Sequence, residues 1–322
     1  MIAEGKITVT LGDSVQIASN RTASVSGLLA GREVGEALAL LPMVFSLCGH
    51  AHCAAAQLAT GQGAADMRLV LAENAREHLL RILLGWQGGG TSMPAPPVMA
   101  LVADMHEAIE NRDTVSVAAT LDDYLEAHVF GCPPEDFLAG KSWLGAKTQA
   151  AAYLRDIQEN GWQALGQTDP APLPTLPARM LAKRMQEPGF CRYPDWQGTP
   201  RETGPFARHA QHPLVAAHGS GLLARLMARL VALALLPAQM RRSTPQDATP
   251  PFGMVETARG RLVHMAELEG GRIASYKILA PTEWNFHPEG VAAKALKGLA
   301  PAQAKAVIEA IDPCVDFELR AA

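Results

Sequence analysis

The sequence predicts a mainly α-helical fold with small β pieces, that is, an α+β protein, and three observations support this. Apolar residues recur with a helical period through most of the chain. Two short regions, one near each end, instead alternate apolar and polar residues, which is typical of half-buried strands. The 322 residues are 48% hydrophobic and only 19% charged, so the chain can bury a sizeable core. We therefore expect one large domain spanning residues 1–322.

The predicted elements begin with a strand within residues 1–18, where Ile7, Val9 and Leu11 alternate with polar residues. A helix follows over 64–86, because its apolar residues keep a helical period up to the stop signal "QGGG". The same period predicts three more helices, over residues 97–110, 114–129 and 146–160.

Two polar, proline-rich stretches, 166–179 and 241–253, are predicted to be connectors. Between them lies the long apolar segment 212–240, whose composition raises the question of a membrane span. Arg225 and Arg229 interrupt it, and the uncharged run after them is too short to cross a bilayer. We expect a deeply buried core helix and a protein that is not embedded in a membrane.

The second β region lies in the last third of the chain. Residues 259–281, "RGRLVHMAELEGGRIASYKILAP", form two alternating runs around "EGG", which is the pattern of a β-hairpin. Residues 289–314 then predict one or two short helices that lead to Cys314.

Charge and cysteine content exclude several classes of function. The net charge is −4 without a long basic run, so nucleic acid is not expected as a partner. The five cysteines are odd in number and thinly spread, which argues against a disulfide framework and for a reducing compartment. The opening residues lack the apolar core of a signal peptide. These features predict a cytoplasmic protein.

One short stretch concentrates potential metal ligands. In "FSLCGHAHCAAA", residues 45–56, the side chains of Cys48, His50, His52 and Cys53 lie within six positions. Thiolates and imidazoles are good ligands for transition metals, but the spacing matches no standard zinc motif. From the residues alone, a metal site and a turn into a helix with incidental polar residues are both open.

Rigid corners stand at the two ends of the predicted hairpin. Arg259 lies in "ARG" at one end, and Pro281 and Thr282 lie in "APT" at the other. Such corners can direct a guanidinium and a hydroxyl toward one point, although an ordinary surface hairpin has the same pattern. Cys314, taken by itself, is a lone thiol of the kind that is usually structural.

Taken in order, these pieces resemble the large subunit of nickel–iron hydrogenases. That family has R-x-C-G-x-C-x-x-x-H near its start and D-P-C-x-x-C-x-x-H near its C-terminus, where this chain has "SLCGHAHCAA" and "DPCVDFELR". Residues 193–208, "YPDWQGTPRETGPFAR", and the block 255–290 resemble two further family segments. The resemblance is spread over nearly the whole chain and implies a hydrogenase-large-subunit-like fold.

The departures from that pattern change the function that the resemblance implies. In the hydrogenases two cysteines from each motif hold nickel, and the second of each pair also bridges to iron. Here Cys48 and Cys314 match the first of each pair, Ala51 and Phe317 occupy the second positions, and Ser46 replaces the motif arginine. Nickel in that setting is held by four soft donors, so the resemblance implies a site without nickel and a protein that is not a working hydrogenase.

The retained residues match the iron half of the hydrogenase site. In the family, iron carries two cyanides and one carbon monoxide, and an arginine and a Pro-Ser/Thr corner supply hydrogen bonds to the cyanides. Arg259, Pro281 and Thr282 match those positions. The resemblance therefore implies that these three residues bind the diatomic ligands of an Fe(CN)2(CO) unit.

The iron itself is assigned by the resemblance to Cys48 and Cys314. These cysteines align with terminal nickel ligands rather than with the two that bridge to iron. Either both thiolates turn to iron because no nickel competes for them, or His52 or Cys53 takes over one bridging position.

This combination resembles the hydrogenase expression/formation proteins of the HupK/HoxV type, which are similar to truncated large subunits that lack nickel ligands. The resemblance implies a non-catalytic maturation scaffold that holds the iron unit transiently. HypC/HypD-type maturation proteins and the hydrogenase large subunit are the implied partners. A metal-free docking chaperone or pseudo-subunit and an enzyme with divergent iron chemistry remain as alternatives.

Other polar residues are expected to serve the fold rather than a site. We predict structural roles for Glu4, His78 and His264, buried hydrogen bonding for Glu202, Arg208 and Asn285, and inert thiols for Cys132 and Cys191.

Overall fold

The structure is a computed structural model that describes residues 5–20, 24–45, 47–86, 95–111 and 113–321. Three sequence predictions, on Glu4, on Ser46 and on the helix stop at 87–90, lie outside the described residues.

Helices account for most of the regular structure in the described residues, and the strands are few and short. In chain order the helices are α1 (Ser24–Leu29), α2 (Val34–Val44), α3 (Gly49–Thr60), α4 (Met67–Leu80), α5 (Ala95–Glu110), α6 (Thr114–Tyr124), α7 (Pro134–Leu138), α8 (Gln149–Glu159), α9 (Ala178–Gln186), α10 (Pro205–His209), α11 (Pro213–Ala216), α12 (Leu222–Arg242), α13 (Pro281–Asn285), α14 (Val291–Ala295) and α15 (Pro301–Ile311). The strands are β1 (Lys6–Leu11), β2 (Gln16–Ser19), β3 (Phe252–Thr257), β4 (Gly260–Glu269), β5 (Arg272–Leu279) and β6 (Asp316–Ala321). The predicted α+β class is confirmed.

The chain divides into two compact units. Unit 1 comprises Met1–Met67, Thr168–Arg208 and Pro245–Ala322, and unit 2 comprises Arg68–Gln167 and His209–Thr244. Two of the boundaries, next to Thr168 and Pro245, fall inside the predicted proline-rich connectors. The prediction of a single domain over 1–322 stays a prediction.

Unit 2 contains the helices predicted from the apolar period. α4 and α6 continue into π-helical segments, Arg81–Gly85 and Leu125–Phe130, so the predicted ends at 86 and 129 hold to within one residue. α5 and α8 match the predictions over 97–110 and 146–160 within three residues at each end.

α12 is the long apolar helix that the sequence predicts as a core helix. Among the described residues it is the helix long and apolar enough to cross a membrane, and 83% of its apolar 18-residue window is buried inside the protein. Arg225 donates to the carbonyls of Gly166 and Ser220, and Arg229 Nη1 lies 3.2 Å from His78 Nδ1. The buried core helix is therefore confirmed, with both guanidiniums bonded inside unit 2.

One sheet of unit 1 joins the two ends of the chain. Its order is β2-β1-β6, with β6 parallel to β1. Ile7, Val9 and Leu11 of β1 are buried, as the predicted alternation requires. β6 is not among the predicted elements. Its residues alternate charged and apolar side chains over only six positions, and those side chains are half-buried or exposed.

The second sheet of unit 1 has the order β3-β4-β5 and carries the predicted hairpin. Gly270 and Gly271, with φ of 57° and 78°, form the two-residue turn between β4 and β5, and positive φ at both turn residues is what this kind of hairpin needs. β3 is not among the predicted elements. Because α12 ends at Arg242 and β3 begins at Phe252, the connector predicted over 241–253 is two residues too long at each end.

α3 packs closely on β3 and β4. Gly253 of β3 makes this approach possible, because a Cβ at that position would overlap the carbonyl oxygen of Ala55 and lie 2.9 Å from Leu58 Cβ. The helix face is correspondingly rich in alanine, and small side chains allow the backbone of the helix to lie directly on the strand.

Candidate functional site

The direction of α3 sets the position of Cys48. Beyond the C-terminal end of the helix, Ala65 and Gln246 exchange two backbone hydrogen bonds of 2.9 Å, just before β3 begins. α3 therefore runs antiparallel to β3, over a length of about 18 Å. Cys48 is its N-cap and is half-buried. This residue accordingly lies toward the end of the sheet where the β3–β4 turn carries Arg259.

Arg259 occupies a tightly held two-residue turn. Thr257 Oγ1 accepts the backbone N–H groups of Arg259 and Gly260, both at 3.2 Å. Gly260 has a φ of 134°, which favours glycine. A Cβ on Gly204 would lie 2.9 Å from the Arg259 carbonyl oxygen. Arg259 is only 7% exposed, so the alternative of an ordinary surface hairpin is wrong and the corner is buried.

The segment before α10 braces this turn through Asn285. Asn285 accepts the backbone N–H of Thr203 at 2.9 Å and donates to its carbonyl at 3.1 Å. Thr203 Oγ1 in turn accepts the Arg261 N–H at 2.9 Å. The predicted buried hydrogen bonding of Asn285 is confirmed. Arg208, by contrast, is half-buried and pairs with Glu256 at 2.9 Å.

Asp312 faces the Arg259 guanidinium, and this aspartate is not among the site residues predicted from the sequence. Its Oδ2 lies 3.3 Å from Arg259 Nε in an ion pair between side chains that are 1% and 8% exposed. Asp312 caps the C-terminus of α15 with a φ of 65°, a left-handed conformation that aspartate tolerates better than most residues. A polar residue directly after a predicted helix was the available signal, but it is equally typical of an ordinary exposed cap.

Cys314 lies two residues further on, against Thr282. β5 runs back toward the β3–β4 turn, and Pro281 begins α13 just beyond it. Thr282 Oγ1 lies 2.7 Å from Cys314 Sγ and accepts the Cys314 backbone N–H at 3.1 Å. Cys314 is 7% exposed. The hydroxyl therefore orients the thiol and satisfies the backbone of the same residue.

Three of the predicted site residues thus converge on one short segment. Arg259 contacts Asp312, Thr282 contacts Cys314, and only Pro313 separates the two contacted residues. The segment 312–314 joins a guanidinium, a hydroxyl and a thiol in one buried place in unit 1. Phe317 lies beyond it in β6, where it is half-buried.

His52 is engaged in a different structure, a buried chain of polar groups. Its Nδ1 lies 2.9 Å from His264 Nε2, and His264 Nδ1 lies 2.6 Å from Tyr276 Oη. Phe45 stacks on the His52 ring at 3.4 Å. Burial lowers the pKa of His264 to about 3, so this histidine is neutral at physiological pH. The prediction that His264 is a satisfied core histidine is confirmed.

Cys53 points to another side of α3. Its thiol contacts the Leu38 carbonyl at 3.9 Å, within an apolar cluster that includes Leu41 and Ile273. Burial, and secondarily the Cys53 thiol, raises the pKa of Tyr276. In the described part of the chain, no three His, Cys, Asp or Glu side chains come together as a metal site, so the residues around Cys48 do not form a three-ligand site of their own.

Comparisons with known proteins identify the family of this chain. The profile of the nickel-dependent hydrogenase family matches residues 206–314. The chain is 31% identical to the hydrogenase expression/formation protein HupK of Rhizobium leguminosarum bv. viciae, over 97% of this chain and 94% of the relative. It is 33% identical to HoxV of Cupriavidus necator, with the same two coverages. The chain belongs to the HupK/HoxV family of hydrogenase expression/formation proteins.

The fold of this family member is that of a hydrogenase large subunit. The nickel–iron–selenium hydrogenase of Desulfomicrobium baculatum superposes with a TM-score of 0.62, over 98% of this chain and 95% of that chain. The two sequences are only 14% identical, so this likeness concerns the fold alone. The predicted large-subunit-like fold is confirmed.

Proposed function

We propose that this protein is a non-catalytic carrier that holds an Fe(CN)2(CO) unit and delivers it to the apo large subunit of a nickel–iron hydrogenase. Membership in the HupK/HoxV family supports a role in hydrogenase maturation, and the names of the relatives favour an assembly factor over an enzyme. The observation that carries the finer proposal is the convergence of Arg259, Thr282 and Cys314 on one buried segment.

The charge of the cargo suits that segment. An iron(II) ion with two cyanides and a carbonyl is neutral, and two thiolate ligands make the assembly dianionic. Burying such a group requires a cation and hydrogen-bond donors near its negative atoms. Arg259 carries a permanent charge and a fork of N–H groups, and it is already buried. Thr282 adds a hydroxyl next to the Cys314 sulfur.

The thiolates come from two different structural settings. Cys314 is held by Thr282 in an irregular segment, whereas Cys48 caps the N-terminus of a 12-residue helix. The positive end of a helix dipole favours negative charge at that position, and metal coordination deprotonates cysteine. Cys48 and Cys314 are therefore the two ligands that this chain contributes, with His52 committed to His264 and Cys53 to the α2–α3 contact.

Delivery is a ligand exchange without a change of oxidation state. Two iron–sulfur bonds to Cys48 and Cys314 break and two iron–sulfur bonds to the acceptor's cysteines form. The iron stays iron(II) with its cyanides and carbonyl, and the carrier thiolates are left to be reprotonated or reloaded. HypC/HypD-type proteins are the proposed source of the unit, and the exchange is proposed to take place in the cytoplasm.

A docking chaperone without metal is the second candidate, because the large-subunit fold extends over 98% of this chain. A surface shaped like that of a large subunit would suffice to bind maturation factors or hydrogenase subunits. In this case the buried residues would serve the fold alone.

Infrared spectroscopy separates the two candidates. The protein would be purified without oxygen from a host that expresses the matching maturation genes. For the carrier we expect cyanide and carbonyl stretching bands and about one iron per chain, and we expect Cys48→Ala and Cys314→Ala to lose both.

Cys191→Ala provides the matched control. Burial raises the pKa of the Cys191 thiol to about 11, so this thiol stays protonated and is a poor ligand. We expect its removal to leave the bands unchanged. Iron-free protein that still co-purifies with maturation factors would favour the chaperone and contradict the carrier.

A further inference from the structure

We propose that Asp312 is a resident counter-ion that competes with the iron–cyanide unit for Arg259, and that it thereby sets how readily the carrier releases its cargo. This inference rests on the proposed function. It concerns a residue that the sequence patterns for iron binding did not select.

The competing group, the Asp312 carboxylate, is already in contact with Arg259. Asp312 and Arg259 form an ion pair at 3.3 Å, and their side chains are 1% and 8% exposed. Water does little to screen charges at such depth. When a dianionic assembly lies next to the same guanidinium, two anionic groups share one cation. The carboxylate then has to move away from Arg259 for the cargo to bind, and the lost ion pair weakens the hold on the iron unit.

Chain geometry couples this competition to the thiol. Pro313 has a fixed φ and is the single residue between Asp312 and Cys314. Asp312 itself has a left-handed backbone with a φ of 65° at the end of α15, and its carboxylate faces the buried Arg259. A shift of Asp312 away from Arg259 is therefore transmitted to Cys314, the thiol next to Thr282. One short segment thus carries both a ligand of the cargo and its competitor.

The test replaces the charge and keeps the shape. Asp312→Asn has the same size and tolerates the left-handed conformation. At constant pH we expect the variant to keep its infrared bands and to transfer the unit to purified apo large subunit at least about tenfold more slowly, because removing one unit charge at close range near an effective dielectric of 20 is worth about tenfold or more in affinity. Asp312→Glu, which keeps the charge, should transfer within about threefold of the wild-type rate.

Asp316→Asn is the matched control. Asp316 lies two residues beyond Cys314 and is exposed, and we expect its neutralisation to leave the transfer rate unchanged. Transfer by Asp312→Asn at the wild-type rate, or faster, would overturn the inference. If wild-type protein carries no infrared bands, the proposed function itself fails, so the two failures are distinguishable.

A second measurement does not depend on how the variants fold. In a crystal structure of the loaded wild-type protein we expect the distance between Arg259 Nε and Asp312 Oδ2 to exceed 4 Å. An ion pair that stays near 3.3 Å in the loaded form would contradict competition for the guanidinium.

Discussion

The contact between α3 and β3 can be tested by adding one methyl group, through the substitution Gly253→Ala. The new Cβ would overlap the Ala55 carbonyl oxygen and lie 2.7 Å from its carbonyl carbon and 2.9 Å from Leu58 Cβ. Ordinary van der Waals contact begins near 3.4 Å. A movement of about 0.7 Å would relieve the contact with the carbonyl carbon, but the overlap with the carbonyl oxygen requires α3 to move off β3 by more than about 1 Å. Two of the three obstacles belong to the backbone of α3 and cannot rotate away.

The expected cost follows from that displacement. A gap of only about 0.5–1 Å already forfeits roughly a quarter to a half of each dispersion contact across the interface, and overpacking of a well-packed core costs about 1–3 kcal/mol. We place Gly253→Ala at the upper end, about 3 kcal/mol, because the strain falls on a backbone–backbone contact. For a unit of this size that corresponds to a melting temperature lower by about 6–12 °C.

Circular dichroism during heating measures the change, and Gly35→Ala is the control. Gly35 lies inside α2, where an added Cβ would meet nothing within 4 Å. Alanine should therefore stabilise the protein by about 0.4–1 kcal/mol. If Gly253→Ala melted within about 2 °C of the wild type while Gly35→Ala behaved as expected, the close packing of α3 on β3 would be wrong, and with it the position assigned to Cys48.

Three further predictions concern buried polar contacts, and urea titration of the unfolding free energy measures each one. The pKa of His264 is lowered to about 3 from the ordinary 6.5, so the unfolded chain binds a proton at this residue more readily than the folded chain does. The contribution of His264 to the free energy of unfolding is therefore full above pH 6.5 and falls by about 2 kcal/mol between pH 7.5 and pH 5. His264→Gln should remove that part of the slope, and an unchanged slope would contradict a neutral buried histidine. Thr282→Val should cost about 1–3 kcal/mol because the Cys314 N–H loses its acceptor, whereas Thr282→Ser should stay within about 1 kcal/mol of the wild type. Arg259→Gln and Asp312→Asn should each cost about 3–5 kcal/mol, and the double variant should cost at least about 1 kcal/mol less than their sum; simple additivity would mean that the ion pair does not couple the two residues.

The sequence was most informative where local periodicity agrees with burial. β1, the β4–β5 hairpin and α12 each follow from a period of apolar residues that the fold then buries on one side or all round. In such elements the local sequence alone indicates which side chains are buried. β6 alternates charged and apolar residues over only six positions, and the fold leaves its side chains half-buried or exposed. Its strand character depends on pairing with β1 at the other end of the chain, which the local sequence does not reveal.

The candidate site divides in the same way. Corner residues such as Arg259 and Thr282 could be selected because rigid turns and a family resemblance single them out. The Asp312–Arg259 contact could not, since an aspartate after a helix looks like a solvent-exposed cap until a distant turn is folded onto it. His52 presents the opposite case: its spacing from Cys48 suggests a shared ligand role, and the structure adds a partner, the strand residue His264, that no local pattern connects to it.

These differences make the two proposed iron ligands unequal. Cys48 caps a helix whose backbone lies directly on β3 at Gly253 and whose His52 contacts the buried His264, so movement there would disturb the core of unit 1. Cys314 lies between α15 and β6, in a segment without regular structure whose contacts include the Thr282 hydroxyl and the ion pair of Asp312 with Arg259. Interactions of this kind can be exchanged at modest cost, whereas repacking a helix against a sheet cannot. A carrier that fills and empties therefore needs its reversible step on the Cys314 side, which is where the structure places both the orienting hydroxyl and the competing carboxylate.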